Sequence, residues 1–182
     1  LLNTSEPFEL AVADNCSSDG TADYLTDLYK QNLIQHLFLF DKNYGVAPAS
    51  NSIWEQYPNH YYLKLDNDIV IKNPQWLTEL LDIIEDNNNS FFLAYSFLKQ
   101  LKNITYPLLQ LNSRHFVQIP EANLGGACIC IPPEIHSSLG FWSEDYAPYG
   151  EEDTDYSYRA RLSNHKFYYM HNHDYMEHHY LP

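Results

Sequence analysis

At 182 residues, with 45% apolar and 15% aromatic side chains, the chain is long enough to bury a core and too apolar to stay disordered. Ten basic against 24 acidic residues give a formal charge of −14. That balance argues against duplex nucleic acid or anionic lipid as a partner, since both need Lys and Arg set against phosphate. No apolar run reaches the roughly 20 residues of a transmembrane segment, and no signal-peptide pattern is read.

The predicted elements alternate. Leu1-Leu2-Asn3 reads as the last turn of a helix, followed by a strand over Phe8–Ala13 and a polar loop over Asp14–Thr21. Thr21–Leu33 carries helical apolar spacing at Tyr24, Leu25, Leu28, Tyr29 and Leu33. A strand is expected at Leu37–Phe40, a loop at Asp41–Gly45, and a helix from Pro48 to Tyr57 with its proline in the first turn. The strand Tyr61–Leu65 then runs into Asp66-Asn67-Asp68, and Asn73-Pro74 opens a helix reaching Glu85. Beyond the polar run Asp86–Ser90 come a strand at Phe91–Phe97, a loop or irregular hairpin from Leu98 to Pro120, and a strand at Ala127–Ile131. Pro132-Pro133 opens a short helix that stops at Gly140, Glu151–Leu162 reads as a helix, and Lys166–Met170 as a late strand. The alternation predicts an α/β fold, a mostly parallel central sheet covered by helices, in one domain. Cys16, Cys128 and Cys130 follow no zinc spacing. They read as reduced thiols of a cytoplasmic protein, the last two as small core residues.

Three stretches and the Asp pair could carry chemistry. Asp66 and Asp68 follow a buried strand, where ionised carboxylates are expensive unless something positive meets them. Two apart in extended chain, they would face one way and offer hard oxygen ligands to Mg²⁺, Mn²⁺ or Ca²⁺. The alternative is a solvated turn rich in Asp and Asn. Asp14 stands at a strand's carboxyl end, where open α/β sheets bind ligands and where it could accept bonds from a base or ribose. The same loop could instead be helix-capping, through Ser17, Ser18 or Asp19. Glu151-Glu152-Asp153-Thr154-Asp155 crowds four acids into five residues. A helix dipole and an Asp155–Arg159 pair account for some of them, and crowding is also how a site obtains a base. His171 and His173 follow the last strand at i, i+2 spacing and could complete a metal site with Asp68, whereas His178 and His179 read as a solvated tail. No GxGxxG, Walker A, GxSxG or HExxH motif occurs.

In this order the segments resemble the inverting nucleotide-sugar glycosyltransferases of family 2, with the GT-A fold. Leu10–Thr21 is similar to the family's nucleotide-binding segment, Asn43-Tyr44-Gly45 to its Asn-x-Gly loop and Asp66-Asn67-Asp68 to its DxD motif. Leu124-Gly125-Gly126 and Leu139-Gly140-Phe141 resemble its acceptor-side strand and turn, and Gly150–Asp155 with Arg159 its ED-containing helix. Residues 1–97 would then bind the donor, and 98–182 would form the acceptor-side and catalytic part. The resemblance implies that Asp14 contacts the nucleobase, with Asn43, Gly45 and Asn67 also on the donor, and that Gly125 and Gly126 let backbone approach the sugar. It implies Mn²⁺ or Mg²⁺ on Asp66 and Asp68, Asp68 the more direct, with His173 or else His171 as third ligand. Asp153 would be the base and Glu152 would orient the acceptor. The donor implied is a UDP-sugar, with dTDP- and GDP-sugars as alternatives. The acceptor is a glycan or lipid-linked hydroxyl, as in surface polysaccharide synthesis, with peripheral attachment at the inner membrane face left open. Family members begin with a strand, a polar loop and a helix, of which only the helix end is expected here. A non-catalytic binding module of the same ancestry is the competing reading, and turnover dependent on Asp153 separates the two.

Overall fold

The computed structural model describes residues 1, 3–97, 106–146, 148–172 and 174–179. The chain divides into two compact units, and the division does not fall at 97/98. One comprises Pro7–Pro58 with Phe141–Glu152, the other Leu1–Glu6, Asn59–Gly140 and Asp153–Pro182.

The first unit contains β1 (Ala11–Asp14), α1 (Thr21–Lys30), β2 (His36–Leu39) and α2 (Val46–Trp54). β1 and β2 pair in parallel from Ala11 opposite His36 to Asp14 opposite Leu39. α1 stops at Lys30, short of the expected Leu33, because Asn32 turns left-handed at φ 57. Leu33 N then donates to Leu28 O and Asn32 N to Tyr29 O, a closure in which the apolar residue past the end mimics continued helix. α2 starts before Pro48 because Gly45, at φ 96, turns the chain into it. Phe141–Glu152 joins this unit through Asn51, a buried side chain on α2. Its amide donates to Trp142 O and Glu144 Oε1, both at 2.9 Å, and its carbonyl accepts from Trp142 N at 3.1 Å. Trp54 meets the Trp142 ring edge-on at 5.9 Å.

The second unit is built on a six-stranded sheet ordered β3-β8-β5-β9-β7-β6. Its strands are β3 (Tyr62–Leu65), β5 (Phe91–Ala94), β6 (Leu108–Gln110), β7 (Phe116–Gln118), β8 (Cys128–Ile131) and β9 (Lys166–Met170). β3, β5, β9 and β6 run one way. β8 and β7 run the other, so β5–β9 is the parallel pair and the remaining neighbours are antiparallel. The expectation of a mostly parallel sheet holds for strand direction and is corrected for pairing, because β8 inserts between β3 and β5. The hairpin β6–β7 lies inside the stretch read as loop or hairpin, and 98–105 falls outside the described residues. Two short strands were not expected: β4 (Ile69–Ile71) and β10 (Met176–His178), which pair antiparallel.

α3 (Trp76–Glu85) packs Trp76, Leu80, Ile83 and Ile84 into a core shared with Leu93, Cys128 and Cys130. The thiols are core residues, as expected. Burial pushes Cys128 up to about 12, and Cys130 upward as well. α4 (Pro133–Leu139) and α5 (Glu152–Leu162) follow the predicted boundaries to within a residue. At the start, Thr4 N donates to Leu1 O, a turn where a helix end was expected, with Leu2 outside the described residues. Among the described residues no helix is long and apolar enough to cross a membrane.

Candidate active site

β3 delivers Lys64 and Asp66 to one end of the sheet. Asp66 N donates to Ala127 O at 2.8 Å, fixing the strand end against the approach to β8. The chain then turns, with Ile69 N donating to Asp66 O at 3.3 Å. This corrects the extended geometry expected for Asp66-Asn67-Asp68, and the turn gives the two carboxylates different partners. Asp66 is ion-paired with Lys64, whose ammonium also donates to Gly126 O at 2.8 Å. Asn67 between them is exposed.

Asp68 faces β10. Pairing of β4 with β10 sets His178 opposite Ile69, and His178 Nε2 lies 3.5 Å from Asp68 Oδ2. The Asp68 carbonyl accepts from His179 N at 2.8 Å. Asp68 Oδ1 is buried and has no hydrogen-bond partner among the described residues. The Tyr95 hydroxyl holds β10 there by accepting from Tyr175 N and Met176 N, at 2.8 and 3.1 Å. His178, 17% exposed and with its ring against Phe97, is therefore no solvated tail. His171 is exposed beside the Phe116 ring, and His173 lies outside the described residues.

The strand approach Leu124–Gly126 gives up three successive N–H groups to side chains. Leu124 N donates to Ser157 Oγ at 3.1 Å, Gly125 N to the Tyr169 hydroxyl at 2.9 Å, and Gly126 N to Asp153 Oδ2 at 2.8 Å. Burial raises the Tyr169 hydroxyl to about 12, so it stays neutral and donates to Asn123 O. Asp153 thus sits in the first turn of α5 with Oδ2 fixed on the Gly126 peptide and Oδ1 accepting from Thr154 N at 2.7 Å. Asp155 takes the pairing expected for it, 2.6 Å from Arg159 Nε, and Arg159 Nη1 donates to Leu139 O at 2.6 Å. A Cβ at Gly125 would meet nothing nearer than the Tyr169 hydroxyl at 4.0 Å, so packing does not demand glycine there.

The remaining sequence-predicted residues lie in the Pro7–Pro58 unit. Asp14, buried at the end of β1, accepts from Ser17 N at 3.1 Å. Asn15 clasps the next loop, its amide donating to Gly45 O and its carbonyl accepting from Tyr44 N, each at 2.9 Å. Asn43 Oδ1 accepts from Gly45 N at 2.9 Å. Asp19 performs the turn-forming part of the loop. It accepts from Thr21 N and Oγ, which holds its carboxyl below the ordinary range. Glu152 is buried at the start of α5.

Sequence reading passed over Lys64, His178, Asn15 and Tyr169. Lys64 had a signal: a lysine inside an apolar strand, two residues before Asp66 and so on its face. His178 had none, because a strand of only three residues, Met176–His178, does not announce itself in a histidine-rich stretch.

The donors at Asp68 suit a divalent cation. One carboxylate oxygen is buried and unsatisfied, and an imidazole nitrogen lies beside the other, a set fitting Mn²⁺ or Mg²⁺ better than a soft metal. Among the described residues, no group of three or more His, Cys, Asp and Glu side chains is placed to hold a metal ion, so protein ligands at Asp68 number at most these two residues.

Residues 1–133 match the model of the family "Glycosyl transferase family 2". A curated relative, the putative teichuronic acid biosynthesis glycosyltransferase TuaG of Bacillus subtilis (strain 168), is 31% identical over 101 residues. That alignment covers 55% of this chain and 40% of TuaG, so the chain matches well under half the relative's length. Among solved structures, S. aureus TarS superposes at a TM-score of 0.69 with 20% identity, over 96% of this chain and 32% of TarS. TarS 1–349 in complex with UDP-GlcNAc gives 0.67 and 17%, over 96% of this chain and 51% of the other. The mannosyltransferase PcManGT from Pyrobaculum calidifontis, in complex with GDP-Man and Mn²⁺, gives 0.64 and 14%, over 91% and 47%. At such identities the structures speak for the fold alone, and that fold is GT-A.

Proposed function

The chain belongs to glycosyl transferase family 2, and from that premise we propose that it transfers a sugar, with inversion, from a nucleotide diphosphate to a hydroxyl of a cell-surface glycan or lipid-linked acceptor. The observation carrying this reading is the Gly126 peptide. Its N–H fixes Asp153 and its carbonyl holds the lysine paired with Asp66, so the base and the acid turn share one rigid support. Both Asp153 oxygens accept from backbone N–H groups, Oδ2 from Gly126 and Oδ1 from Thr154, so the carboxylate plane is fixed while each oxygen keeps a second lone pair for an acceptor hydroxyl. Asp153 takes that proton, the freed oxygen attacks the anomeric carbon, and the bond from that carbon to the diphosphate breaks on the far face. Glu152 orients the acceptor.

Asp14, with Asn43 and Gly45, serves the nucleoside end of the donor, and Asn67, Gly125 and Gly126 its sugar-diphosphate end. Gly125 leaves open space where a side chain would stand. Asp68 with His178 would hold Mn²⁺ or Mg²⁺, which when bound neutralises the leaving diphosphate. A UDP-sugar is the donor favoured, supported by the UDP-GlcNAc held by TarS 1–349, and a GDP-sugar is second, after PcManGT.

Calorimetric titration with UDP, with and without Mn²⁺, tests the donor half. Binding is expected to need the metal and to vanish in Asp68→Ala. Release of UDP from UDP-GlcNAc in the presence of glycan acceptor tests the other half. Asp153→Asn should keep UDP binding and lose transfer by about 10²-fold or more. Wild-type transfer by Asp153→Asn would refute the base assignment, and tight UDP binding without turnover would favour a non-catalytic module.

A further inference from the structure

Lys64 has no part in the chemistry above, yet its surroundings are unusual for a lysine. It lies in the middle of a run of core strand, its side chain 13% exposed, with neighbours Leu63 and Leu65 packed against the hydrophobic core. Keeping an ammonium there is costly unless the charge is matched and its hydrogens are used. Both conditions are met by two groups of the site itself, the Asp66 carboxylate and the Gly126 carbonyl. The same Gly126 peptide donates its N–H to Asp153, so one lysine braces the acid turn on one side and the base on the other.

Charge makes this more than a brace. Of the two carboxylates Asp66 and Asp68, the ammonium is paired with Asp66. Asp68 keeps the buried, unsatisfied oxygen. We propose that Lys64 is a resident cation of this site. It neutralises Asp66, so that a divalent ion is held through Asp68 and His178 rather than between the two aspartates. It also positions the Gly126 peptide and thereby Asp153. Lys64 is a positioning residue in this scheme, and it sets the affinity of the site for its metal. Asp66 belongs to the lysine, and only indirectly to the ion. The inference rests on the reading of Asp68 as a cation site.

The prediction runs against the usual effect of damaging a site: removing Lys64 should tighten metal binding. With the ammonium gone, Asp66 keeps its full charge and is available to an ion held on the same turn, and the lysine's own positive charge no longer opposes that ion. The experiment is direct Mn²⁺ binding to the 182-residue chain without nucleotide, read from the free-Mn²⁺ paramagnetic resonance signal. Lys64→Gln is expected to bind Mn²⁺ about tenfold more tightly than wild type, and Lys64→Arg within about threefold of it. The double variant Lys64→Gln/Asp66→Asn supplies a second arm should Lys64→Gln not fold. With the ammonium and its carboxylate removed together the local charge is unchanged, so Mn²⁺ affinity should stay within about threefold of wild type, whereas loss of a direct carboxylate ligand would weaken it far more.

Weaker or unchanged Mn²⁺ binding in folded Lys64→Gln overturns the proposal, and so does a large loss in the double variant Lys64→Gln/Asp66→Asn. Asp68→Ala separates this failure from that of the underlying reading. If Asp68→Ala loses Mn²⁺ while Lys64→Gln does not gain, the cation site stands and the role of Lys64 falls. If Asp68→Ala binds like wild type, both fall together.

Discussion

Replacing Gly45 by alanine should unfold the Pro7–Pro58 unit at markedly lower denaturant. Gly45 stands at φ 96, ψ 176, a region open essentially to glycine alone, and a side chain there costs about 1–3 kcal/mol. Space is a second obstacle. A Cβ would sit 2.6 Å from Pro148 O and 2.9 Å from Pro148 Cα, both backbone atoms that no rotamer change can move aside. Relieving that overlap displaces the segment whose carbonyl accepts from Val46 N at 3.2 Å, and overpacking of this kind costs about another 1–3 kcal/mol. The sum is about 2–6 kcal/mol, and at about 2–4 °C per kcal/mol for a chain of this size the melting temperature should fall by roughly 10 °C. Urea unfolding followed by tryptophan fluorescence measures it, since Trp54 and Trp142 report on this unit. UDP affinity measured below the transition shows whether the loop also fails as a binding element. A loss under about 1 kcal/mol would refute the reasoning, because neither the backbone strain nor the overlap could then be real.

Asn51→Ala should cost about 2–4 kcal/mol in the same urea assay, because it leaves the buried N–H and C=O of Trp142 without their partner. Asn51→Asp should do no better, since it keeps the acceptor for Trp142 N but sets a carboxylate against Glu144 Oε1. Of the three thiols, exposed Cys16 should react with a disulfide reagent in the native protein, and Cys128 and Cys130 only after denaturant is added. The Cys128 value is raised in the fold, so its contribution to stability is complete below the ordinary 9.0 and lost as pH rises toward about 12. Alkaline unfolding in that window should shift upward in Cys128→Ala if cavity effects are matched by a Cys128→Val control. Gly125→Ala should leave the melting temperature within about 2 °C of wild type, as nothing crowds its Cβ, while weakening UDP-GlcNAc binding more than UDP binding.

Periodicity recovered most elements, because α3, β5, β8 and β9 bury nearly all of one face and their sequences must show it. It overran at α1 for a definite reason. Leu33 is the apolar residue past a left-handed Asn32, its N–H bonded back to Leu28 O, and spacing alone cannot distinguish such a cap from another helical turn. Pairing was less legible than direction. Nothing in Cys128–Ile131 says that it inserts antiparallel between β3 and β5, since a strand buried on both sides reads alike in either sense. Asp14, Asp68 and Asp153 stand out as candidates in the sequence because acids beside buried elements need an explanation. Their partners do not. His178 reaches Asp68 only through the β4–β10 pairing, and that depends on Tyr95, some 80 residues away, accepting from the backbone of Tyr175 and Met176.

The formal charge of −14 gains a local meaning from these contacts. A diphosphate donor brings further negative charge to a chain with only ten Lys and Arg. Eight of those ten fall in the unit that carries the candidate base, and the two that bond the acid turn and the first turn of α5 are already engaged. Lys64 bonds Asp66 and Gly126, and Arg159 bonds Asp155 and the Leu139 carbonyl. Both therefore hold protein geometry, one at the acid turn and the other behind the first turn of α5. On the proposed reading, positive charge for the donor would come with a divalent ion, and Asp68, whose buried Oδ1 has no hydrogen-bond partner among the described residues, could receive it. A surface rich in carboxylates repels a bare nucleotide diphosphate and accepts its metal complex, so the ion would act in selecting the donor as well as in neutralising the leaving group.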